Sequence, residues 1–422
     1  MTQPDFIAAS CADDYDPNSM PVDKARHFIR TYLEPVKVQE SLHLRAALGR
    51  ILAQDILSPC NVPNHDNSAM DGYALYGDDL SAEGAVTLKV AGTAFAGKAF
   101  DGQVGRGECI RIMTGAVMPD RTDTVVIQEH VQLDGDHITF GPGTKRGQNR
   151  RLAGEDLKLG QVVLPAGHLV RPADLGLIAS LGIGEVRVYR KLRVAFFSTG
   201  DELASIGQPL EPGQVYDSNR YTLYGMLTRL GVEILDMGVV RDDPALLESA
   251  LIEASQSADV VITSGGVSVG EADYMKELLN KLGQVVFWKI AMKPGRPLAY
   301  GKIGNAHYFG LPGNPVSVMV TFYQFVRDAM LMLMGQANPQ PIPLLPAICT
   351  GEIRKAPGRT EFQRGVLTLN NDGVWTVHAT GNQGSGVLRS MSEANCFIVL
   401  SESCGNVAKG ETVQVQIMDS LI

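Results

Sequence analysis

Residues 258–279 read ADVVITSGGVSVGEADYMKELL, and this stretch decides the class of fold. A wholly apolar run, Val260 to Ile262, closes on Thr263 and Ser264, enters a Ser/Gly-rich turn and leaves it on a helical pattern, Met275, Leu278 and Leu279. A strand that is apolar on both faces must be covered on both faces, which is the condition of a mostly parallel sheet between two layers of helices. In such sheets ligands sit at the carboxyl ends of the strands. There, the backbone N–H groups of a turn and the start of the next helix face an anion. Taken alone, the same turn also reads as a plain strand-to-helix connection. It carries neither GxxxxGK[ST] nor GxGxxG, which disfavours a Walker-type nucleoside triphosphatase and an ordinary dinucleotide fold.

The alternation of strand and helix extends from this stretch in both directions, over 191–336. VAFFS (194–198) is a strand, Ser218 to Leu230 a helix closed by Gly231, and VEILDMGVV (232–240) a strand. Asp243 caps a helix that begins on Pro244, with Leu246, Leu247, Ala250, Leu251 and Ala254 as its buried stripe. FWKIAM, PLAYGKI and HYFGL follow as strands, and Asn314 caps the last helix, with Pro315 at its first position. That helix, Val316 to Met334, carries Gln324, Arg327 and Asp328, so it reads as buried in protein rather than as a bilayer span.

Beyond these limits the texture changes. After the proline-rich 338–346, the runs VWTVHAT, CFIVLSE and ETVQVQIM alternate with period two, so 340–422 is expected to be a small β-domain. Upstream, short β-rich runs between Gly, Pro and Asp mark 59–151 as an inserted β-domain. The flanks 20–58 and 152–190 form one split helical and extended segment, in which the helix Pro172–Leu181 ends at Gly182.

Composition narrows the function classes. The 422 residues are 45% hydrophobic and 20% charged, as in ordinary globular proteins, and carry a net charge of −9. That balance disfavours nucleic-acid and anionic-membrane partners, so an anionic ligand must be held by a local site. The first residues show no basic and apolar leader, which makes the expected location cytoplasmic. Six scattered cysteines without a CxxC pair, and eight histidines without HExxH, speak against a disulfide framework or a zinc centre. Cys60 and His65 lie close in sequence but lack the second pair of a closed site.

Two further clusters carry chemistry. In KIAMKPGRPLAYG, Lys289, Lys293 and Arg296 gather around a Pro/Gly turn, an arrangement suited to an oxyanion or phosphate, though a solvated turn has the same composition. Asp201, Glu202, Asp217, Asp242 and Asp273 each follow a strand, hence lie near one sheet edge. Oxygen ligands there, facing bound phosphates, hold Mg²⁺, while each is equally able to cap a helix. GLPGNPVS (310–317) reads locally as a good helix start.

Together, NSAMDGYAL (67–75), RIMTGAVMP (111–119), GEDLKLG (154–160), STGDEL (198–203), TSGGVSVGEADY (263–274), KPGRPLAYG (293–301) and GLPGNPVS resemble the MoeA family of molybdopterin molybdenumtransferases, in order and over nearly the whole chain. The gephyrin E domain and its plant counterpart are relatives of that family. The resemblance implies a multidomain α/β plus β protein: a central αβα three-layer domain like MogA, an inserted β-domain and a C-terminal β-barrel. It implies a homodimer that takes adenylylated molybdopterin and molybdate, cleaves the pyrophosphate bond with Mg²⁺, releases AMP and places molybdenum on the dithiolene sulfurs. Transient contact with a MogA-like adenylyltransferase and with cofactor-accepting proteins follows from the same likeness.

Carried over motif by motif, the resemblance implies catalytic roles for Asp71, Thr114, Asp156, Glu202, Asp242 and Asp273, with Asp242 and Asp273 on the metal. It implies ligand contacts for Ser264, Gly265, Gly266, Ser268, Lys289, Lys293, Arg296, Pro312, Pro315, Arg364 and Ser385. Molybdate, a tetrahedral dianion, is expected at Lys293, Arg296 and Ser385, with Arg364 closing the pocket. Arg296 departs from the KPGKP of many relatives by putting a planar, bidentate donor where they have a point charge. Two other readings remain: a MogA-type adenylyltransferase, against which the extra β-domains and NSAMDGYA argue, and a gephyrin-like binding scaffold, against which Asp242, Asp273 and Lys293 argue.

Overall fold

The computed structural model describes residues 19–266, 272–336 and 339–418, leaving aside the side chains of 272–274. The chain divides into two compact units: one of residues up to Ser41, Gly49–Ala53 and Arg187 onward, the other of Leu42–Leu48 and Gln54–Val186.

The first unit is built on a six-stranded sheet in the order Glu233–Val240, Arg193–Thr199, Val260–Ser264, Ala306–Leu311, Pro297–Ile303, Gly283–Lys289. The first four strands run parallel; Pro297–Ile303 is antiparallel to both of its neighbours. The strand-helix alternation therefore holds up to Leu282; after it the loop 290–296 and the two-residue turn 304–305 return the chain locally instead of across a helix.

Alternation along the strands sorts the core into two faces. Val194, Phe196, Val260, Ile262 and Phe309 join the core of the helices Val22–Thr31, Ser218–Leu230 and Pro315–Leu333. Ala195, Phe197, Val261 and Tyr308 join that of Pro244–Ser257 and Ala272–Leu282. The packing groups residues differently from the sequence reading of 20–58 with 152–190. Val22, Ala25 and Ile29 are buried with Trp288 and Met330, so the first helix serves the sheet of this unit.

The expected caps form. The Asp243 carboxylate accepts from the N–H groups of Ala245 and Leu246, at 2.9 and 3.0 Å, and Gly231 closes its helix in the left-handed region at φ 73°. Asn314 holds the cap position, but its side chain makes no capping bond. The helix it starts changes its winding in the middle: Phe322–Val326 form a π-turn between Pro315–Thr321 and Arg327–Leu333. Arg26 Nε reaches the Gln324 carbonyl there at 3.0 Å, and Gln324 Nε2 donates to Gln416 Oε1 at 2.9 Å. By length and composition Pro315–Leu333 is apolar enough to cross a membrane; here most of it lies inside its unit.

Still in the first unit, Leu345–Cys349, Thr360–Leu369, Trp375–Ala379, Cys396–Leu400 and Thr412–Ile417 close into a five-stranded barrel around Val377, Ile398 and Val415. Its longest strand also pairs with the short strand Met292–Lys293.

The second unit holds a six-stranded mixed sheet in the order Thr124–Ile127, Gly72–Leu75, Glu108–Ile112, Val86–Ala94, His137–Phe140, Val131–Asp134, in agreement with the expected β-domain. It is apolar on both faces, with Ala74, Ile110 and Val125 on one and Tyr73, Leu75 and Val126 on the other. At the start of the helix Pro172–Ser180 the Asp174 carboxylate accepts from the Arg171 N–H at 2.8 Å.

Candidate active site

Three turns of the first unit enclose a cavity of about 280 Å³. The first is Lys293–Pro297, which leaves the sheet edge. The second is Pro312–Asn314, which follows the strand Ala306–Leu311. The third is Gln383–Ser385, between the barrel strand ending at Ala379 and Arg389. Ser317 and Arg359 complete the wall. Backbone bonds join the turns: Val316 N–H donates to the Ser385 carbonyl at 3.1 Å and Gly265 N–H to the Leu311 carbonyl at 3.1 Å. Gly295 has φ 93°, and a Cβ there would stand 2.5 Å from Thr321 Oγ1, so this turn passes the helix at a distance only glycine allows.

Three cations, Lys293, Arg296 and Arg359, line this cavity of an acidic chain. Lys293 is half exposed and faces Glu361 Oε1 at 3.8 Å, and the buried Glu361 in turn accepts from Gln363 Nε2 at 2.8 Å. Arg296 Nη2 reaches Ser19 Oγ at 3.4 Å. Of the expected ligand residues, Lys293, Arg296, Pro312 and Ser385 thus come together. Pro315 is the first residue of the helix behind them, and Lys289 ends the strand Gly283–Lys289 at the sheet edge, outside the lining.

Arg364 takes a different place from the one expected. It is 1% exposed; its Nε donates to Ser390 Oγ and its Nη2 to the Gly384 carbonyl, each at 3.0 Å. Burial lowers its pKa to about 10, which leaves it a cation at neutral pH. It therefore holds the 382–384 turn from behind, and the arginine that lines the cavity from this segment is Arg359. Arg359, Asn314 and Gln383 were not legible as lining residues. The signal that separates the two arginines is the strand itself: Arg364 lies inside Thr360–Leu369, whereas Arg359 precedes it.

A second cluster stands at the carboxyl ends of neighbouring parallel strands. Thr199 Oγ1 donates to Asp242 Oδ1, and the Asp242 N–H to Asp201 Oδ1 at 3.4 Å, so these two acids meet as expected from their strand-end positions. Glu202 folds back, its carboxylate within 2.5 Å of where a Cβ on Gly200 would be. Asp217 is spent differently: it is buried and caps its helix by accepting from Arg220 N–H at 3.1 Å. Ser264 is buried, and Gly265 and Gly266 follow it with φ 95° and 68°. A Cβ on Gly265 would collide with the Thr199 carbonyl. Ser268 lies outside the described residues; Asp273 is in the first turn of Ala272–Leu282, and its side chain is likewise outside them. Among the described residues no group of three or more His, Cys, Asp or Glu is placed to hold a metal ion.

In the second unit, Asp71 and Thr114 do meet. The Thr114 N–H and hydroxyl both donate to Asp71 Oδ1 at 2.7 Å, and these two bonds, the backbone one foremost, hold the carboxyl below its usual range. Asp156 is exposed on another loop of that unit, its N–H bonded to the Val62 carbonyl at 3.0 Å.

Comparison with known proteins gives consistent results along the chain. Residues 20–182 match the MoeA N-terminal region (domain I and II), 195–331 a probable molybdopterin binding domain, and 346–418 the MoeA C-terminal region (domain IV). The chain is 48% identical over 402 residues to the molybdopterin molybdenumtransferase of Haemophilus influenzae, covering 95% of this chain and 99% of that one. It is 37% identical to the Nostoc enzyme of the same name, covering 89% and 88%. Among solved structures it is similar to the molybdopterin biosynthesis moeA protein of Pyrococcus horikoshii OT3, with a TM-score of 0.82 at 30% identity, covering 94% of this chain and all of that one. A cation-lined cavity, a MogA-like αβα layer, a closed C-terminal barrel and these likenesses agree: the chain belongs to the MoeA family of molybdopterin molybdenumtransferases, enzymes of molybdenum cofactor biosynthesis.

Proposed function

We propose that the chain inserts molybdenum from molybdate into adenylylated molybdopterin with release of AMP, in the cytoplasm and as a homodimer. The observation that carries this reading is the cavity lined by Lys293, Arg296, Arg359 and Ser385 in a chain of net charge −9. A tetrahedral dianion gains nothing from the global field there; it gains charge-assisted hydrogen bonds from these side chains. Arg364 would act one step behind, fixing the turn that presents Ser385.

The acid cluster supports the nucleotide half of the reaction. Asp242 and Asp201 offer hard carboxylate oxygens at adjoining strand ends, a donor set that fits Mg²⁺ when substrate phosphates supply the rest of the shell. Bound there with Asp273, Mg²⁺ would offset charge developing on the phosphates. Thr199 orients Asp242 for this task, and Asp71, kept ionised by Thr114, serves as a fixed hydrogen-bond acceptor.

The test is mass spectrometry of the products from adenylylated molybdopterin, molybdate and Mg²⁺. AMP and molybdenum-loaded cofactor are expected. ATP-dependent adenylylation of molybdopterin instead would make the chain a MogA-type enzyme. Asp242→Asn should slow AMP release by about a hundredfold, the scale of losing one preorganised electrostatic group. Light scattering should return about twice the 45.4 kDa of one chain.

A further inference from the structure

Asn219, which belongs to none of the seven motifs, stands where the turns that follow two strands of the αβα layer converge. It is the second residue of the helix Ser218–Leu230 and is 9% exposed. Its Nδ2 donates to Ser264 Oγ at 2.8 Å and to the Gly313 carbonyl at 2.7 Å. A carbonyl only accepts, so the nitrogen must be the atom facing Gly313. Ser264 Oγ in turn lies 3.5 Å from the Pro312 carbonyl, and a Cβ on Gly313 would stand 4.0 Å from Gly265 Cα. One amide thus spans the turn that begins at Ser264 and the turn whose residues Pro312, Gly313 and Asn314 form a wall of the cation-lined cavity.

We infer that Asn219 is a positioning residue for the oxyanion pocket: it sets the Pro312–Asn314 wall against Lys293, Arg296 and Ser385 through the Gly313 carbonyl. The inference rests on the reading of that cavity as the molybdate site. Asn219 is not among the described residues that line the cavity. Its effect passes through one main-chain oxygen, so the chemistry of the side chain decides the outcome more than its size does. Alanine removes the donor. Aspartate keeps the shape but turns an ionised acceptor toward a carbonyl oxygen, which pushes the wall away. A protonated aspartate regains one donor.

The experiment compares Asn219→Ala, Asn219→Asp, Arg296→Ala and Leu227→Ala, the last as a change in the same helix that opens a hole in the core without touching either turn. The molybdate concentration for half-maximal transfer and the rate at saturating molybdate are measured for each, alongside its melting temperature. Asn219→Ala is expected to raise the half-saturating concentration about tenfold, the worth of one hydrogen bond to a buried group, with the saturating rate within about twofold. Asn219→Asp should be worse than alanine at pH 8 and approach or better it near pH 5.5. Leu227→Ala should melt earlier and keep the wild-type half-saturating concentration.

If Arg296→Ala shifts the molybdate response while both Asn219 variants keep it, Asn219 has no positioning role and the inference is overturned alone. If the Asn219 variants lose rate and melting temperature together, as Leu227→Ala does, with no change in half-saturation or pH profile, the residue is only structural. If Arg296→Ala leaves the molybdate response untouched, the reading of the cavity fails, and the inference falls with it.

Discussion

Two arginines five positions apart, Arg359 and Arg364, do opposite work at the same place. Arg359 stands ahead of the strand Thr360–Leu369 and lines the cavity with its cation in reach of a ligand. Arg364 lies inside that strand, 1% exposed, and spends its donors on Ser390, Asn382 and Gly384 of its own chain. Charge and residue type are the same; burial separates them. A cation out of water must be matched by fixed acceptors, and once matched it is a strut, whereas one at the rim keeps its donors for an incoming anion.

The largest effect that tests this contrast is on folding. Arg364→Leu removes the donor to the Gly384 carbonyl and one of the two bonds of the Ser390 hydroxyl, and opens space in the barrel wall, which should cost about 3 to 4 kcal/mol of stability in urea unfolding. A shift in molybdate response at unchanged stability would show instead that Arg364 is a ligand residue after all.

His307 sharpens the point from the other side, since burial takes its charge away where Arg364 keeps one. Its pKa is lowered to about 4, chiefly by burial, with Lys302 nearby. In the unfolded chain an imidazole takes its proton near pH 6.5. The stability present above pH 6.5 is therefore lost as pH falls toward 4, by about 3 kcal/mol in all. His307→Gln should flatten that part of the stability curve; a slope that survives unchanged would place its source elsewhere.

Next in size is Arg359→Ala. It should raise the half-saturating molybdate concentration about thirtyfold, near 2 kcal/mol, and leave urea unfolding almost unmoved. The reverse pattern would erase the distinction between the two arginines. Ser385→Ala is the smallest change, about 1 kcal/mol or fivefold in the same measurement, because a neutral hydroxyl donates a weaker bond.

The same contrast explains what could be read from the chain before its structure. Strands apolar on both faces, the Asp243 cap, the Gly231 stop and the period-two runs of the C-terminal region are local patterns, and they form as read. That Asp201 and Asp242 lie near one sheet edge was legible because both follow strands of one parallel sheet. What stayed hidden depends on contacts distant in sequence. Arg364 and Arg359 differ by which of them the closed barrel swallows. Asp217 looked like one more ligand acid, yet it is buried and one of its carboxylate oxygens caps its own helix. Asn314 looked like a helix cap, yet its side chain makes no capping bond and lines the cavity. Asn219 carries no motif at all, because a bond to a carbonyl 94 residues away leaves no trace in spacing.

The π-turn at Phe322–Val326 means that this helix is counted in two frames. Each side of the turn obeys ordinary helical spacing, but the turn itself absorbs about one residue more than an α-turn would. Arg30 meets Asp328 at 3.1 Å only in the second frame, while Pro315 and Ser317 at the cavity end belong to the first. Deleting a single residue from 322–326 would take out that extra residue and let one α-helix run through with the faces on either side kept, whereas adding one residue to an unbroken α-helix would swing everything beyond it by about 100°, the angle of one helical step. Chain length at this point is thus itself a packing variable: the π-turn stores one residue, so that the helix beyond it keeps its side toward the core.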